Sequence, residues 1–122
     1  MIRDVKPEDV IWEGDDPLGR HILDLQSIHD ARRDKHQDAS HLSDEEARSC
    51  VTTPSRIDVS AQLETRCNYY RYGLEYGKPP YQRVTVAFED DKFTSDGIII
   101  SYSRASKSAP GTTIYLNPRN NP

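Results

Sequence analysis

The sequence predicts an α+β fold: two N-terminal helices packed on a small antiparallel sheet of about four strands. Three observations predict it. Leu18, Ile22, Leu25 and Ile28 recur at three- and four-residue spacing, which gives one apolar stripe on a helix. The stretch "LSDEEARSCV" carries a helix-start signature. After Pro54 the apolar residues begin to alternate, and short returns between such segments favour antiparallel strands with the helices on one face.

Taken in order, the first helix is expected from Pro17, with Asp15 or Asp16 as its cap and Pro17 in its first turn. Its pattern dissolves in the polar connection "RRDKHQDASH". The second helix is set by Ser43 and Glu46, a capping box, with Leu42 placed to staple onto Ala47. Pro54 stops it and pushes Thr53 toward extended geometry. "RIDVSAQL" alternates with Ile57, Val59, Ala61 and Leu63 on one face. "RCNYYRYGLEY" follows, then a turn at "GKPP". "YQRVTVAFED" alternates through Val84, Val86 (or Ala87) and Phe88, and "DDKFTSDG" returns the chain. "GIIISYS" has the most apolar composition and is expected as the central strand; "TTIYLN" is a short last one. Residues 1–122 read as a single domain whose first ten or so residues and whose 117–122 segment are loose.

The composition is lean, with 34% hydrophobic and 30% charged residues and a net charge of −4. That balance argues against a general nucleic-acid coat protein. The charge is split: residues 1–50 hold 7 Lys and Arg against 13 Asp and Glu, and residues 51–122 hold 9 against 7. A cationic site in the back half fits this split, and so does a protein with no site. No apolar run approaches the roughly 20 residues of a membrane span, and the acidic start "MIRDVKPEDVIWEGDD" is unlike a signal peptide. A cytoplasmic protein is the expectation. Cys50 and Cys67 lack metal-ligand spacing and read as a reduced structural pair, with a bridge left open by the sequence.

The chemistry-bearing residues are few. His21 and His29 are eight residues apart, too far for one metal, and no HExxH or Cys/His cluster is present. No metal and no cofactor is expected. His36 and His41 read as surface residues of the connector. A histidine titrating near neutrality suits metal-independent RNA cleavage, in which the 2′-hydroxyl attacks the adjacent phosphorus. Such a site needs a proton-transfer group, one or two cations and an aromatic to stack a base. The back half offers Arg66, Arg71 and a run of tyrosines in "TRCNYYRYG", and Ser101, Tyr102, Ser103, Arg104 and Lys107 in "SYSRASK". Alternation puts Ser101 and Ser103 on one face and Tyr102 and Arg104 on the other. Taken singly, each of these residues reads as a strand-end charge or an aromatic of the core.

In combination, the order of "GRHIL", "TTPSRID", "NYYRYG", "RVTVAFE" and "GIIISYSRASK" resembles the barnase/EndoU/colicin/RelE-like ribonuclease superfamily, and more narrowly its phage-borne members and BrnT-type toxins. His21-Ile22-Leu23, Pro54 to Ile57, Tyr69-Tyr70-Arg71 and Ser101-Tyr102 stand at the places of that pattern, over roughly residues 17–107. The resemblance implies a small, toxin-like endoribonuclease. In it His21, Tyr70, Ser101 and Arg104 are catalytic, and Arg66, Arg71 and Lys107 bind substrate. It also implies two partners, an RNA substrate and an inhibitor protein of the antitoxin or immunity kind. The competing reading is a non-catalytic interaction protein, either an inhibitor or adaptor or a nuclease fold used as a binding module.

Overall fold

A computed structural model describes residues 5–33, 42–72, 81–90, 92–93 and 95–117. After a short 3₁₀ turn at Pro7–Asp9 the order is β1 (Val10–Asp15), β2 (His21–Leu25), α1 (Gln26–Arg33), α2 (Asp44–Thr52), β3 (Arg56–Ser60), β4 (Arg66–Tyr72), β5 (Tyr81–Ala87), β6 (Gly97–Ala105) and β7 (Gly111–Leu116). All seven strands join one sheet in the order β1-β2-β6-β5-β4-β3-β7. Every neighbouring pair is antiparallel except β2 and β6, where Ile22 and Leu23 run parallel to Gly97 and Ile98.

This corrects the expectation of two N-terminal helices on a four-stranded antiparallel sheet. The expected first helix is a β-hairpin followed by a helix of 8 residues. "DPLG" has the composition of a type I turn, with Asp first, Pro second and Gly last. Gly19 N–H donates to the Asp16 carbonyl at 3.0 Å, closing that turn. Asp16 Oδ1 accepts from the amides of Leu18 and Arg20, and Gly19 sits at φ 83°. The signal read as a helix cap and first-turn proline is thus a hairpin turn, because Asp serves both. The helical spacing of Ile22 and Leu25 is also that of a strand buried on both faces, where consecutive residues are apolar. Ile22, Leu23, Asp24 and Leu25 are all buried, whereas Leu18 is exposed.

The second helix starts at the capping box. Ser43 Oγ accepts from Glu46 N–H, and Glu46 returns a carboxylate to Ser43 N–H. Leu42 and Ala47 are buried in one cluster, and the helix ends before buried Pro54. The back-half strands lie close to their expected places, although Ala61 and Leu63 fall outside β3 and are exposed. The "GKPP" turn, His36 and His41 lie outside the described residues.

α2 covers one face of the sheet. Ala47, Cys50 and Val51 pack there on Ile22, Ile57, Cys67, Tyr69, Val84, Val86 and Ile99. Gly97 lets β6 approach this core: a Cβ there would come within 2.5 Å of Val86 and 2.8 Å of Ile22. A smaller cluster on the other face joins Leu23, Leu25 and Ile98 to Ile28 of α1. The rest of that second face, over β3, β4 and β5, is covered by no helix among the described residues. No described helix is long and apolar enough to cross a membrane. Both cysteines are free and buried.

Candidate functional site

The covered face of the sheet holds most of the carboxylate–cation pairs; Arg56 and Asp58 form one on the other face. Asp16, 4% exposed, accepts from Arg20 Nε at 2.7 Å and from the Tyr69 hydroxyl at 2.6 Å. Arg20 also donates to Tyr69 and lies over the rings of Phe88 and Phe93 at 4.9 and 5.2 Å. Burial pushes the Tyr69 hydroxyl far above its usual range, so it remains a donor. Glu46 accepts from Arg104 Nη2 at 2.5 Å and Gln82 Nε2 at 3.1 Å. Asp44 accepts from the Tyr102 hydroxyl and lies 2.9 Å from His29 Nε2, and Asp24 pairs with Arg48. Burial alone would raise both Asp44 and Glu46. Hydrogen bonds from Tyr102 and His29, with the charges of His29 and Arg48, hold Asp44 below its ordinary value. Bonds from Ser43 and the charge of Arg104 do the same for Glu46. These groups pin α1 and α2 to the sheet.

The uncovered face is different. Strand register arranges it as rows running across β4, β5 and β6. Arg66 stands opposite Ala87, Asn68 opposite Thr85 and Ser101, Tyr70 opposite Arg83 and Ser103, and Tyr72 opposite Tyr81 and Ala105. Arg66, Asn68, Arg83 and Thr85 line a trough of about 180 Å³ closed at its side by Ser60, Ala109 and Pro110. Thr85 Oγ1 donates to Asn68 Oδ1 at 2.7 Å, which turns the Asn68 amide nitrogen into the donor left for a ligand. Arg20, Arg48, Arg56 and Arg104 each have a carboxylate within 4.0 Å, whereas none among the described residues reaches Arg66 or Arg83. At the end of the face the Tyr72 and Tyr81 rings meet edge to face at 5.2 Å, both half-buried.

Two larger hollows have less to offer. The one of about 500 Å³ beside Trp12 is walled by Asp44 and Arg48, which are already paired. The one of about 680 Å³ beside α1 contains Asp9, whose two oxygens are taken by the amide and hydroxyl of Ser27. Asp9 is thereby tied to α1.

The sequence-derived site residues do not converge. His21 stands at the start of β2 with Asp15 Oδ1 at 2.9 Å and Glu13 at 3.5 Å. Its pKa is raised by the hydrogen bond to Asp15, and the charges of Asp96, Glu13 and Asp15 act in the same direction. β2 meets β6 at Gly97, and Arg104 lies seven residues further along that strand. At ~3.3 Å per residue the two ends are roughly 20 Å apart. Arg104 is 5% exposed and held by Glu46 on the α2 side, whereas Ser101 faces the other way with Thr85. A bulge does occur in β6, but it comes before Ser101, at the register shift opposite Thr85 and Val86, so Ser101 and Arg104 stay on opposite faces. Tyr70 is fully buried: its ring lies 4.7 Å below Arg56 and its hydroxyl accepts from Ala109 N–H. It has no face left for a base. Arg71 pairs in register with Gln82 on the α2 side, and Lys107 is exposed beyond β6. Of the seven residues, Arg66 and Ser101 share the open face in reach of solvent.

Asn68, Tyr72, Tyr81, Arg83 and Thr85 were missed as a group. The available signal was the polar half of β5: in "YQRVTVA" Tyr81, Arg83 and Thr85 alternate with the core residues Val84 and Val86.

No known family, no curated protein and no solved structure matches this chain. The resemblance to the ribonuclease superfamily therefore rests on the short motifs quoted above.

Proposed function

We propose that this protein is a non-catalytic binding module for single-stranded RNA, acting in the cytoplasm. The observation that carries the reading is the pair Arg66 and Arg83. They flank the hydrogen-bonded Asn68–Thr85 pair in an open trough and, among the described residues, lack the carboxylates that other arginines of this fold have. At about 180 Å³ the trough is smaller than the roughly 300 Å³ of a small-molecule site. It suits a phosphate and an adjoining ribose hydroxyl. Tyr72 and Tyr81 provide aromatic surface two register positions from the trough, where an unstacked base can lie. With a net charge of −4, affinity depends on this local patch and is modest.

The endoribonuclease reading, with its inhibitor partner, draws on the resemblance and on Arg66 and Ser101. Cleavage would need a proton-transfer group at the trough, and neither a histidine nor a carboxylate lines it among the described residues. A labelled oligoribonucleotide titrated in EDTA separates the two. The binding reading predicts a saturable complex and intact RNA. Fragments with 2′,3′-cyclic phosphate ends, lost in the His21→Ala variant, would restore the nuclease. No complex at low salt would sink both.

A further inference from the structure

The two edges of the sheet are built differently. β1 carries Glu13 and Asp15, with side chains 62% and 68% exposed, and a register shift at Val10/Trp12. Exposed edge charges and bulges are devices that keep a sheet from pairing with another chain. β7, "GTTIYL", has no charged residue, and none occurs anywhere from Ser108 to Asn117. It too has a register shift, at Ile114, so the bulges do not distinguish the edges; the charges do.

The phase of β7 can be read from its ladder. Ala61 N–H donates to the Pro110 carbonyl, and Asn117 N–H donates to the Ser55 carbonyl. In an antiparallel pair, residues alternate between bonding the neighbour and facing away. Thr112 and Tyr115 therefore spend their backbone groups on β3, while Gly111, Thr113 and Leu116 present theirs outward. No strand among the described residues takes them. Ile114 and Leu116, 39% and 57% exposed, add apolar surface beside that row.

We infer that β7 pairs antiparallel with β7 of a second copy of this chain, joining two seven-stranded sheets into one. Charge selects the occupant. An uncharged strand meets its own copy without repulsion, whereas docking on β1 of another copy would set it against Glu13 and Asp15 with no cation between Ser108 and Asn117 to compensate. The pairing is isologous, so it closes at two chains and does not propagate. The two-fold axis of an antiparallel strand pair is perpendicular to the sheet, so both uncovered faces lie on the same side. Six residues a side form a contact below the roughly 1,200 Å² of a stable interface, so the dimer is expected to be weak and concentration-dependent.

Sedimentation velocity across about three decades of protein concentration tests this. The expected result is a monomer–dimer equilibrium whose Kd rises at least tenfold in Leu116→Lys and is unchanged in Glu13→Gln. Hydrogen exchange at high and low concentration gives a readout that needs no variant: the amides of Gly111, Thr113 and Leu116 slow with concentration, and those of Thr112 and Tyr115 do not. A monomer at every concentration, assembly beyond the dimer, or a dimer indifferent to Leu116→Lys with no concentration-dependent protection in β7 would overturn the inference.

Discussion

The two faces of this sheet differ in how their arginines are partnered, although one arginine of the uncovered face, Arg56, is paired with Asp58. On the side covered by α2, Arg20, Arg48 and Arg104 are each joined to a carboxylate, and aromatic rings enclose Arg20. On the uncovered side Arg66 and Arg83 flank a polar trough with no carboxylate within ion-pair distance among the described residues. A cation that has been neutralised and desolvated contributes to the fold. A cation whose partner is absent keeps its charge for something outside the chain. The difference between the paired arginines and Arg66 with Arg83 is therefore a difference between stability and binding, and substitutions should separate the two.

The largest effect is expected at Asp16. Asp16→Ala removes the turn acceptor and leaves Arg20 and Tyr69 without their shared carboxylate, so unfolding by denaturant should show a loss of about 3–5 kcal/mol. A loss under 1 kcal/mol would mean that the covered-face arginines are not structural. Glu46→Ala comes next. It removes the return half of the capping box and the acceptor shared by Arg104 and Gln82, and a loss of about 1–3 kcal/mol is expected. The smallest change in stability belongs to Arg66→Gln and Arg83→Gln, within about 0.5 kcal/mol, because neither has an ion pair among the described residues.

Acid should act on the covered face through Asp44 and Glu46. Asp44 and Glu46 have folded pKa values below their ordinary 3.8 and 4.5. Their contribution is present above those ordinary values and is lost as pH falls through the depressed ones. Thermal melts should therefore weaken below about pH 4, less steeply in Glu46→Ala. His21 has the opposite sign. Its pKa is raised, so what it adds is present below the ordinary 6.5 and disappears as pH rises through the folded value. Its side chain is 37% exposed, and His21→Ala should flatten a small slope above the ordinary 6.5.

These contrasts also show what the sequence disclosed. The capping box at Ser43 and Glu46 was legible because both halves lie within four residues. The back-half strands were legible from alternation. The front half was not, since Asp-Pro at a hairpin turn and Asp-Pro at a helix start use the same side-chain acceptor, and only Gly19 with its positive φ distinguishes them. A strand between two neighbours, such as "HILDL", loses its alternation because both of its faces are buried. For the site, Arg66 was recognised but grouped with Arg71 and Arg104, which the register sends to the other face. Which arginines have a carboxylate partner depends on residues as far as 58 positions away, as between Arg104 and Glu46, and no local pattern reports that.

Whether the uncovered face binds RNA is decided by the salt dependence of oligoribonucleotide binding for the native chain and for Arg66→Gln/Arg83→Gln, both verified as folded by thermal melting. For single strands each phosphate contact contributes about 0.7 to the slope of log K against log salt, so the double variant should bind more weakly with a slope shallower by roughly 1.4. Equal affinity and equal slope in the two proteins would contradict the assignment of the uncovered face as the binding face.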